Sequence, residues 1–404
     1  MAAGGKAHSA NFNGVVCPSG GDCVAYGSDV AADGHARPLL VTRHVGSWTP
    51  LALPFPEGAK PSTDSYSEVR AVSCLQSKCL AVAVYVDAQQ VLHFFSNTLA
   101  REGGSTIELP LVGAAKSADD LATEIGQAQG NVSLSCWSTT ACMAAISIRF
   151  DFGGSFQHDA FELVRFDGQR WTTLTNPVIN LPATKYGTEV DDLSCSTRGW
   201  CAMTGEASDS MGTSLRAWTA VPRGTEWRAS VQPNLQAYRG LSCGSAAHCH
   251  ALALTATGNA LVTLAADGST IVDVLPRDFT AYDMGCSPLL CAFAGSSDNN
   301  GGYLGTQSEA ARSTTGADPN GAHLQLGNPG TVACTSSSYC VAVGGFEVNS
   351  LTGASEPLVE TFTNSSWKAT TPAAPSKGGT LNGVACESAS NCVATGQANG
   401  TVRP

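Results

Sequence analysis

Sixteen cysteines, which fall into eight close pairs, carry the clearest chemistry in this sequence. Four or five residues separate the two members of every pair. Cysteines at this spacing can form disulfides, or they can supply thiolate ligands to zinc. The pairs are Cys17/Cys23, Cys74/Cys79, Cys136/Cys142, Cys195/Cys201, Cys243/Cys249, Cys286/Cys291, Cys334/Cys340 and Cys386/Cys392.

The position four residues before the first cysteine of each pair changes its side chain from one pair to the next. Its occupants are Asn13, Arg70, Val132, Asp191, Arg239, Tyr282, Gly330 and Asn382. Two residues later the chain has an apolar residue every time: Val15, Val72, Leu134, Leu193, Leu241, Met284, Val332 and Val384. We interpret the uniform position as one that packs between repeated units, and the diverse position as one that faces a ligand.

Three side chains at or beside the diverse position are candidates for catalysis. Asp191 is the best placed carboxylate for general acid–base work, provided that Arg70 or Arg239 tunes its pKa. Tyr282 could stack on a sugar ring or donate a proton. Asp283, offset by one residue from Tyr282, is the third catalytic candidate.

The remaining polar occupants are candidates for ligand binding. Arg70 and Arg239 suit a carboxylate or another anion, because a guanidinium group can bind it through two hydrogen bonds. Asn13 and Asn382 would add neutral hydrogen-bonding groups. In an equally good interpretation the arginines form salt bridges with acidic neighbours: Glu68, Glu189 or Asp191.

Further carboxylates and two histidines lie in predicted loops on the same face. They are Asp29, Asp33, His35, Asp151, His158, Asp159, Glu206, Asp209, Asp298 and Glu347. Two carboxylates roughly 5–9.5 Å apart would suit a glycosidase. The run Asp298-Asn-Asn300 offers oxygens to a structural calcium ion, without EF-hand spacing. We expect no other cofactor, since histidine pairs for metals, nucleophile elbows, P-loops and dinucleotide motifs are absent from the sequence.

The elements that must position these residues are short strands. The cysteine pairs recur at about 50 residues, a period typical of repeat folds. Within a unit, short apolar stretches alternate with Gly, Pro, Ser, Asn and Asp, which indicates four strands, a to d. No stretch has helical periodicity with caps. The sequence therefore predicts an all-β fold, a single β-propeller of about eight four-stranded blades over residues 1–404.

In a propeller the first strand of each blade lines the central channel, which places the diverse position at the rim of that channel. The predicted blades are residues 11–56, 68–112, 130–177, 189–233, 237–277, 280–328, 329–375 and 380–404 with the N-terminus. The last unit supplies strands a and b, with room for little more. Residues 1–10 are therefore expected to add an edge strand, or the ring closes by hydrophobic packing.

The same architecture favours disulfides over zinc. The two cysteines of a pair flank an a–b hairpin loop, where opposed Cα atoms are roughly 4.5–5.5 Å apart. A zinc site would need two pairs to converge, and neighbouring blades hold these loops apart. We therefore expect each disulfide to staple a loop on the face opposite the ligand rim. Eight intra-blade disulfides predict an oxidising compartment, and with it a secreted or cell-surface protein whose signal peptide is absent from this sequence.

Two resemblances to known families support this interpretation. The repeated Leu/Val-x-Cys-x-Ser-x-x-x-Cys-x-Ala-Val-Gly unit resembles repeats of secreted actinobacterial proteins. The turns Phe166-Asp-Gly-Gln-Arg-Trp171 and Ala266-Asp-Gly-Ser-Thr270 resemble degenerate Asp-boxes of sialidase-like propellers. Asp-boxes are structural turns remote from the active site in that family, so this resemblance implies the fold alone. We carry over no catalytic residue.

The amino-acid composition excludes several classes of binding partner. Hydrophobic residues make up 43% of the 404 residues, which excludes a disordered chain. The net charge of −11 argues against nucleic acid or an acidic membrane surface as a partner. No apolar run reaches the roughly 18 residues of a membrane-spanning helix. We expect a monomer that binds a small molecule or a glycan.

Three functions fit a polar rim in a secreted propeller. The first is a glycan-directed enzyme such as a glycoside hydrolase, and the second is a non-catalytic module that binds a glycan or a protein. The third is a lyase or cyclase that uses arginine and tyrosine at the same rim. Fold alone does not choose among them. Because the rim residues differ from unit to unit, we favour one asymmetric site, and with it an enzyme.

Overall fold

The protein is described by a computed structural model in which every regular element of the described residues is a β-strand. The all-β prediction is confirmed. No helix of these residues has the length and hydropathy that a membrane crossing requires. The described residues are 9–19, 22–30, 36–44, 46–62, 67–89, 91–99, 104–110, 129–151, 157–179, 188–207, 216–224, 226–244, 248–275, 279–287, 290–297, 302–308, 312–314, 331–349, 354–370, 372 and 378–398.

Thirty strands of the described residues form antiparallel sheets in chain order, because each strand pairs with the next through a short connection. Sheets 1 to 4 contain four strands each. Their strands are β1 (Ser9–Ser19), β2 (Asp22–Val30), β3 (Ala36–His44), β4 (Ser47–Ala52), β5 (Ser67–Leu75), β6 (Lys78–Val86), β7 (Leu92–Leu99), β8 (Thr106–Glu108), β9 (Gln129–Ser138), β10 (Ala141–Asp151), β11 (Gln157–Phe166), β12 (Trp171–Thr173), β13 (Thr188–Cys195), β14 (Cys201–Ala207), β15 (Arg216–Arg223) and β16 (Glu226–Val231).

Sheets 5 to 7 also contain four strands each, and sheet 8 contains two in the described residues. Their strands are β17 (Leu235–Ser242), β18 (His248–Thr255), β19 (Gly258–Ala265), β20 (Thr270–Val274), β21 (Phe279–Ser287), β22 (Leu290–Ser297), β23 (Gly302–Ser308), β24 (Arg312–Thr314), β25 (Val332–Ser336), β26 (Tyr339–Asn349), β27 (Ala354–Thr363), β28 (Ser366–Thr370), β29 (Gly379–Ser388) and β30 (Asn391–Ala398).

The first strands of the sheets surround a common axis. They contact one another in chain order: β1, β5, β9, β13, β17, β21, β25 and β29. The last of them, β29, also contacts β1. The later strands of each sheet follow outward in hydrogen-bonding order. This is a β-propeller, as the cysteine period predicts.

The prediction of eight four-stranded blades is not met by the described residues. The last unit has only β29 and β30, which agrees with the two strands expected for that unit. An edge strand from residues 1–10 is not seen, because β1 begins at Ser9 and pairs with β2, and residues 1–8 lie outside the described ones.

Sheet 8 joins sheet 1 through side-chain packing. Val15 and Ala25 of sheet 1 pack with Ala385 and Val393 of sheet 8. Gly383 comes close to sheet 1, since a Cβ added there would lie 3.3 Å from the Cα of Gly14. Among the described residues, hydrophobic packing is thus the way in which the ring closes.

The hydrophobic core is divided among the interfaces between neighbouring sheets. Leu252 and Leu261 of sheet 5, for example, pack with Met284 and Phe293 of sheet 6. Equivalent clusters join every other neighbouring pair of sheets, including the last and the first. The uniform apolar position takes part in these clusters, as predicted from its repetition.

All sixteen cysteines form the eight predicted disulfides, and no cysteine is free. Each disulfide joins the first two strands of one sheet, or the residue that directly follows the first strand in the case of Cys243. The zinc alternative is therefore wrong. Disulfides in this number indicate an oxidising, extracellular type of environment. The bonds are Cys17–Cys23, Cys74–Cys79, Cys136–Cys142, Cys195–Cys201, Cys243–Cys249, Cys286–Cys291, Cys334–Cys340 and Cys386–Cys392.

The paired cysteines lie closer together than the spacing of hairpin residues predicts. Their Cα atoms are 3.9–4.2 Å apart, which is shorter than the expected distance of roughly 4.5–5.5 Å. In six sheets the two cysteines are direct cross-strand partners, so that the sulfur–sulfur bond spans the narrowest gap between the strands. The bonds therefore lie within the strand pairs, at their ends, and not in the loops beyond them.

The second cysteine of each pair also belongs to the hydrophobic core, which corrects the expectation of a bond that only staples a loop. The second strand lies inside its sheet, and its cysteine packs toward the preceding sheet of the ring. The first cysteine is half-buried in every pair. Among the second cysteines, Cys392 is half-buried and seven are buried: Cys23, Cys79, Cys142, Cys201, Cys249, Cys291 and Cys340.

The two turns that resemble Asp-boxes are explained by local hydrogen bonds. Asp167 Oδ1 accepts bonds from the main-chain N–H groups of Gln169 and Arg170 at 3.0 and 2.9 Å. Asp267 Oδ1 accepts one from Ser269 at 2.8 Å. Asx turns of this kind occur in many folds, so the geometry does not single out the sialidase family.

Candidate functional site

The diverse rim position coincides with a β-bulge in the first strand. Six first strands skip one residue in their pairing with the second strand, and the skipped residue has no cross-strand partner. The skipped residues are Asn13, Arg70, Asp191, Arg239, Tyr282 and Asn382. They are six of the seven residues predicted from the sequence to be catalytic or ligand-binding, and the seventh is Asp283. A bulge re-aims side chains and is common beside functional sites.

The strand without a bulge explains why residue type varies at this position. In a regular strand, residues two apart face the same side. Strand β9 is regular here, and Val132 pairs with Ile146 and packs in the same cluster as Leu134. Where the bulge occurs, the residue leaves this face and becomes polar or aromatic. The eighth position, Gly330, lies outside the described residues.

Asp191 lies in an acidic corner at the interface of sheets 4 and 5, which we define by Glu189, Asp191, Glu206 and Arg239. Glu189 on β13 stands directly opposite Glu206 on β14. Arg239 Nη1 lies 4.0 Å from Glu206 Oε1, and the Arg239 side chain is 45% exposed. The indole of Trp218 donates to the main-chain oxygen of Glu206 at 3.0 Å, which fixes this strand from behind.

Two buried oxygens of this corner have no hydrogen-bond partner among the described residues. They are Asp191 Oδ2 and the hydroxyl of Tyr238, a residue that is only 1% exposed. Burial raises the pKa of Asp191 to about 8, and the charges of Glu206 and Glu189 add to this effect. Burial and the Asp191 charge raise the pKa of Tyr238 as well. Asp191 is therefore largely protonated at neutral pH.

The cause of this pKa differs from the expected one. Arg239 opposes the shift, and so does a hydrogen bond from the Tyr238 main chain. The pKa is thus raised by burial and by carboxylates, and the arginine limits the rise. A carboxyl that stays protonated near pH 7 can act as a general acid or as a hydrogen-bond donor.

Arg70 takes part in an ion pair in sheet 2. Its Nε lies 2.6 Å from Glu68 Oε1, and both side chains are largely buried. Asn13 of sheet 1 donates a hydrogen bond to the main-chain oxygen of Val69 at 3.1 Å, and its side chain also bonds to Glu68. The salt-bridge interpretation of Arg70 is correct. Arg239 lies 4.0 Å from Glu206, a residue that was not among the expected partners.

Tyr282 and Asn382 occupy other parts of the rim. Tyr282 is 43% exposed. Asn382 is half-buried and accepts a hydrogen bond from Thr380 Oγ1 at 3.4 Å. The bulges therefore bring two predicted pairs together: Asn13 and Arg70 meet at Glu68, and Asp191 and Arg239 share the acidic corner.

Asp283 points to the neighbouring sheet. Its Oδ2 accepts a hydrogen bond from the main-chain N–H of Val332 in sheet 7 at 2.9 Å. Burial raises the pKa of Asp283 to about 7. This carboxylate joins two sheets, a role that sequence reasoning missed.

The same bond recurs at other interfaces, always three residues before the first cysteine. Asp192 accepts from Leu241 at 2.9 Å, Ser133 from Leu193 at 2.8 Å, and Thr331 from Val384 at 2.7 Å. The signal in the sequence is a polar residue three positions before the first cysteine. Sheets 1, 2, 5 and 8 have glycine or alanine there: Gly14, Ala71, Gly240 and Gly383.

Tyr26, on the second strand of sheet 1, packs over the bulged first strand of that sheet. Its ring covers Gly14, where an added Cβ would lie 2.5 Å from the tyrosine oxygen. Burial raises the pKa of Tyr26, and the charge of Asp192, three sheets away, raises it further.

Several predicted loop residues cannot be placed. Asp33, His35, Asp209 and Asp298 lie outside the described residues, as does the proposed calcium run. The side chains of Asp151, His158, Asp159 and Glu347 are also outside them, although their strands are described. Within the described ranges, no group of histidine, cysteine, aspartate or glutamate has the arrangement of a metal site.

Comparisons with known proteins support the propeller fold and do not identify a family or a function. No protein-family model matches the chain, and no curated protein matches it. A puromycin hydrolase structure matches with a TM-score of 0.52 and 14% identity, over 90% of this chain and 54% of that one. A puromycin-hydrolyzing peptidase of Mycobacterium tuberculosis matches with a TM-score of 0.53 and 10% identity, over 91% and 54%.

A prolyl endopeptidase structure matches similarly, with a TM-score of 0.52, 8% identity, and 90% and 50% coverage. The chain spans about half the length of each of these three proteins. At such low identity the likeness shows the propeller fold alone. None of the three is a sialidase, so the resemblance to Asp-boxes gains no support.

Proposed function

We propose that the protein is a ligand-binding propeller whose single asymmetric site lies at the rim of the central opening, centred on Asp191, Glu206 and Arg239. The observation that carries this proposal is the coincidence of six bulges with the diverse position. Where the first strand is regular, packing dictates an apolar residue. Where it bulges, the skipped residue has no cross-strand partner, and the chain places a polar or aromatic side chain there.

The architecture around this site belongs to the same proposal. We infer that residues 1–404 form one propeller of eight blades, with sheet 8 as a short closing blade. The contact of β29 with β1 supports this count. The disulfides support a secreted or cell-surface location. We further propose a monomer without a bound cofactor.

The state of the arginines favours a ligand with hydrogen-bond donors over an anionic one. Arg70 is engaged by Glu68, and Arg239 lies near Glu206, so neither is poised for an anionic substrate. A ligand with hydrogen-bond donors suits the corner better. Both glycans and peptides have such donors, and two fold neighbours are named for puromycin hydrolysis, so both ligand classes are candidates.

A second candidate function is acid–base catalysis by Asp191. Its raised pKa is what a general acid requires, and Glu206 is a second carboxylate in the same corner. A glycoside hydrolase or a peptide-directed hydrolase would then use the rim. This candidate predicts turnover of a ligand that binds at the rim, with a pH profile that falls near the pKa of Asp191.

The test is a binding screen against glycan and peptide arrays, with wild-type protein and four rim variants: R70A, D191N, R239A and Y282F. We expect at least one ligand whose affinity falls about tenfold in D191N or R239A, the loss for one charge-assisted hydrogen bond. H248A is the control, because His248 is exposed beside a disulfide on the opposite face. Unchanged binding in all four rim variants would overturn the proposal.

A further inference from the structure

The acidic corner concentrates more carboxylates than the fold requires. The bulge at Asp191 shifts the pairing by one residue and brings Glu189 opposite Glu206. Like charges directly opposite each other in a sheet are unfavourable. In the part of the chain that the structure describes, Arg239 is a cation near this group, with its Nη1 at 4.0 Å from Glu206 Oε1. A strand pair with a purely structural role would avoid two opposed carboxylates, and this pair has them.

Tyr238 provides an independent observation. It is almost wholly buried at the interface of sheets 4 and 5, yet its hydroxyl has no hydrogen-bond partner among the described residues. It lies near enough to Asp191 for that charge to act on it. Asp191 Oδ2 is buried and likewise unpaired in this part of the chain. Buried polar groups normally have partners, and each of these two oxygens can accept a hydrogen bond from a ligand.

We propose that the acidic corner binds an organic cation, the ammonium or guanidinium group of the ligand, which donates hydrogen bonds to Asp191 Oδ2 and the Tyr238 hydroxyl beside Glu206. This inference rests on the proposed function and names the chemical class of its ligand. An organic cation fits better than a metal ion, because the described residues hold no group arranged for metal coordination. A basic peptide side chain is one source of such a group, and an amino sugar is another.

Proton balance gives the proposal a signature. Asp191 holds a proton near pH 7, because burial, Glu206 and Glu189 raise its pKa and Arg239 only limits the rise. A bound cation would favour the ionised carboxylate, so this proton would pass to solvent on binding. Affinity should therefore rise with pH up to about 8.

The experiment uses N-acetyl-L-argininamide, whose guanidinium group stays protonated over this pH range. Its matched control is N-acetyl-L-citrullinamide, which is neutral and of similar shape. Calorimetric titration of the wild type should show binding of the arginine compound at least about tenfold tighter than of the citrulline compound. The heat of binding at pH 7 should depend on the buffer, because a proton is released.

The variants D191N, E206Q and Y238F should each weaken binding of the arginine compound, and D191N should also abolish the buffer dependence. E226Q, an exposed glutamate on β16, is the control that should bind as the wild type does. Melting of each variant confirms that it is folded. E206Q and Y238F keep the test informative if D191N folds poorly.

Equal binding of the two compounds would overturn the cation inference, as would binding that D191N, E206Q and Y238F leave unchanged. The proposed function would still stand if a neutral or anionic ligand from the arrays bound the rim and lost affinity in D191N or R239A. Both proposals fall if neither the arginine compound nor any array ligand depends on the rim.

Discussion

At the scale of single residues, aspartate side chains have two different roles in this propeller. A shift of one position along the first strand determines which role an aspartate has. Asp191 stands on a bulge and keeps an unpaired oxygen among the described residues. Asp192 and Asp283, one residue after a bulge, point to the next sheet and bind its main chain. In the first arrangement the carboxyl oxygen can still bind a ligand, whereas in the second the carboxyl oxygens hold two sheets together.

Raised carboxyl pKa values predict that stability falls as the pH rises. An aspartate has a pKa of about 3.9 in an unfolded chain. The folded values are about 8 for Asp191 and about 7 for Asp283, so folding takes up protons between pH 4 and pH 8. Stability from these groups is full at the acidic end of this window and is lost as the pH passes through the folded values. We expect the unfolding free energy to be several kcal/mol lower at pH 8.5 than at pH 5, at about 1.4 kcal/mol for each pKa unit, measured by urea titration.

The double variant D191N/D283N should flatten this dependence, because neither asparagine titrates. E226Q serves as the control and should keep the wild-type slope. A melting temperature that rises between pH 5 and pH 8.5 in the wild type would contradict the assignment.

At the scale of elements, the bulge separates what the sequence could predict from what it could not. The disulfides and the apolar position could be predicted from their repetition, because packing requires the same type of residue in every unit. The bulges were not predicted, although the diverse residues mark them. Regular pairing outward from Cys195 and Cys201 would set Glu189 opposite Ala207, and the bulge moves it opposite Glu206. The geometry of the acidic corner depends on one skipped residue, and the spacing of the cysteines does not predict where a residue is skipped.

The bulge predicts a contrast between two residues of β21. Tyr282 is the skipped residue and is 43% exposed, whereas Met284 is buried between sheets 5 and 6. Replacing Tyr282 with alanine should change the unfolding free energy by less than about 1 kcal/mol. Replacing Met284 with alanine should cost about 2–4 kcal/mol, through lost burial and a cavity. Denaturant unfolding of both variants gives the comparison, and equal losses would show that Tyr282 is part of the core.

The outer edge of sheet 5 predicts a solubility effect. Strand β20 carries Ile271 at 64% and Val274 at 54% exposure, and its pairing with β19 has no bulge. It also lacks the proline or lysine that commonly protects an edge strand, whereas β28 has Lys368. We expect I271K to aggregate less on heating than the wild type, with a melting temperature within about 2 °C of it. Light scattering during a thermal ramp measures both, with the exposed-site variant E226K as the control for added charge.

At the scale of the whole molecule, two kinds of stabilisation join different parts. The disulfide bonds tie the first two strands within each sheet, and the hydrophobic clusters join one sheet to the next. Sequence reasoning could separate these roles, because the cysteines and the apolar residues repeat in the same register. It missed that the second cysteine, such as Cys291, serves both, since spacing does not show which way a side chain packs. It left two alternatives for the closure of the ring, and among the described residues the packing of sheet 8 on sheet 1 favours the hydrophobic one.

This division predicts the response to reduction. Each disulfide closes a loop of about seven residues, worth about 2 kcal/mol in the chain-entropy model, and none of the eight joins two sheets. Reduction leaves the buried second cysteines in the core as small apolar side chains. It should therefore lower the melting temperature clearly while the inter-sheet clusters hold the propeller together at room temperature. Thiol titration of the denatured, unreduced protein should find close to none of the sixteen cysteines free, and should find all of them after reduction. Circular dichroism of the protein kept in reductant gives the decisive reading: a retained β-sheet spectrum places the main stabilisation between the sheets, and complete unfolding at room temperature would place it in the disulfides.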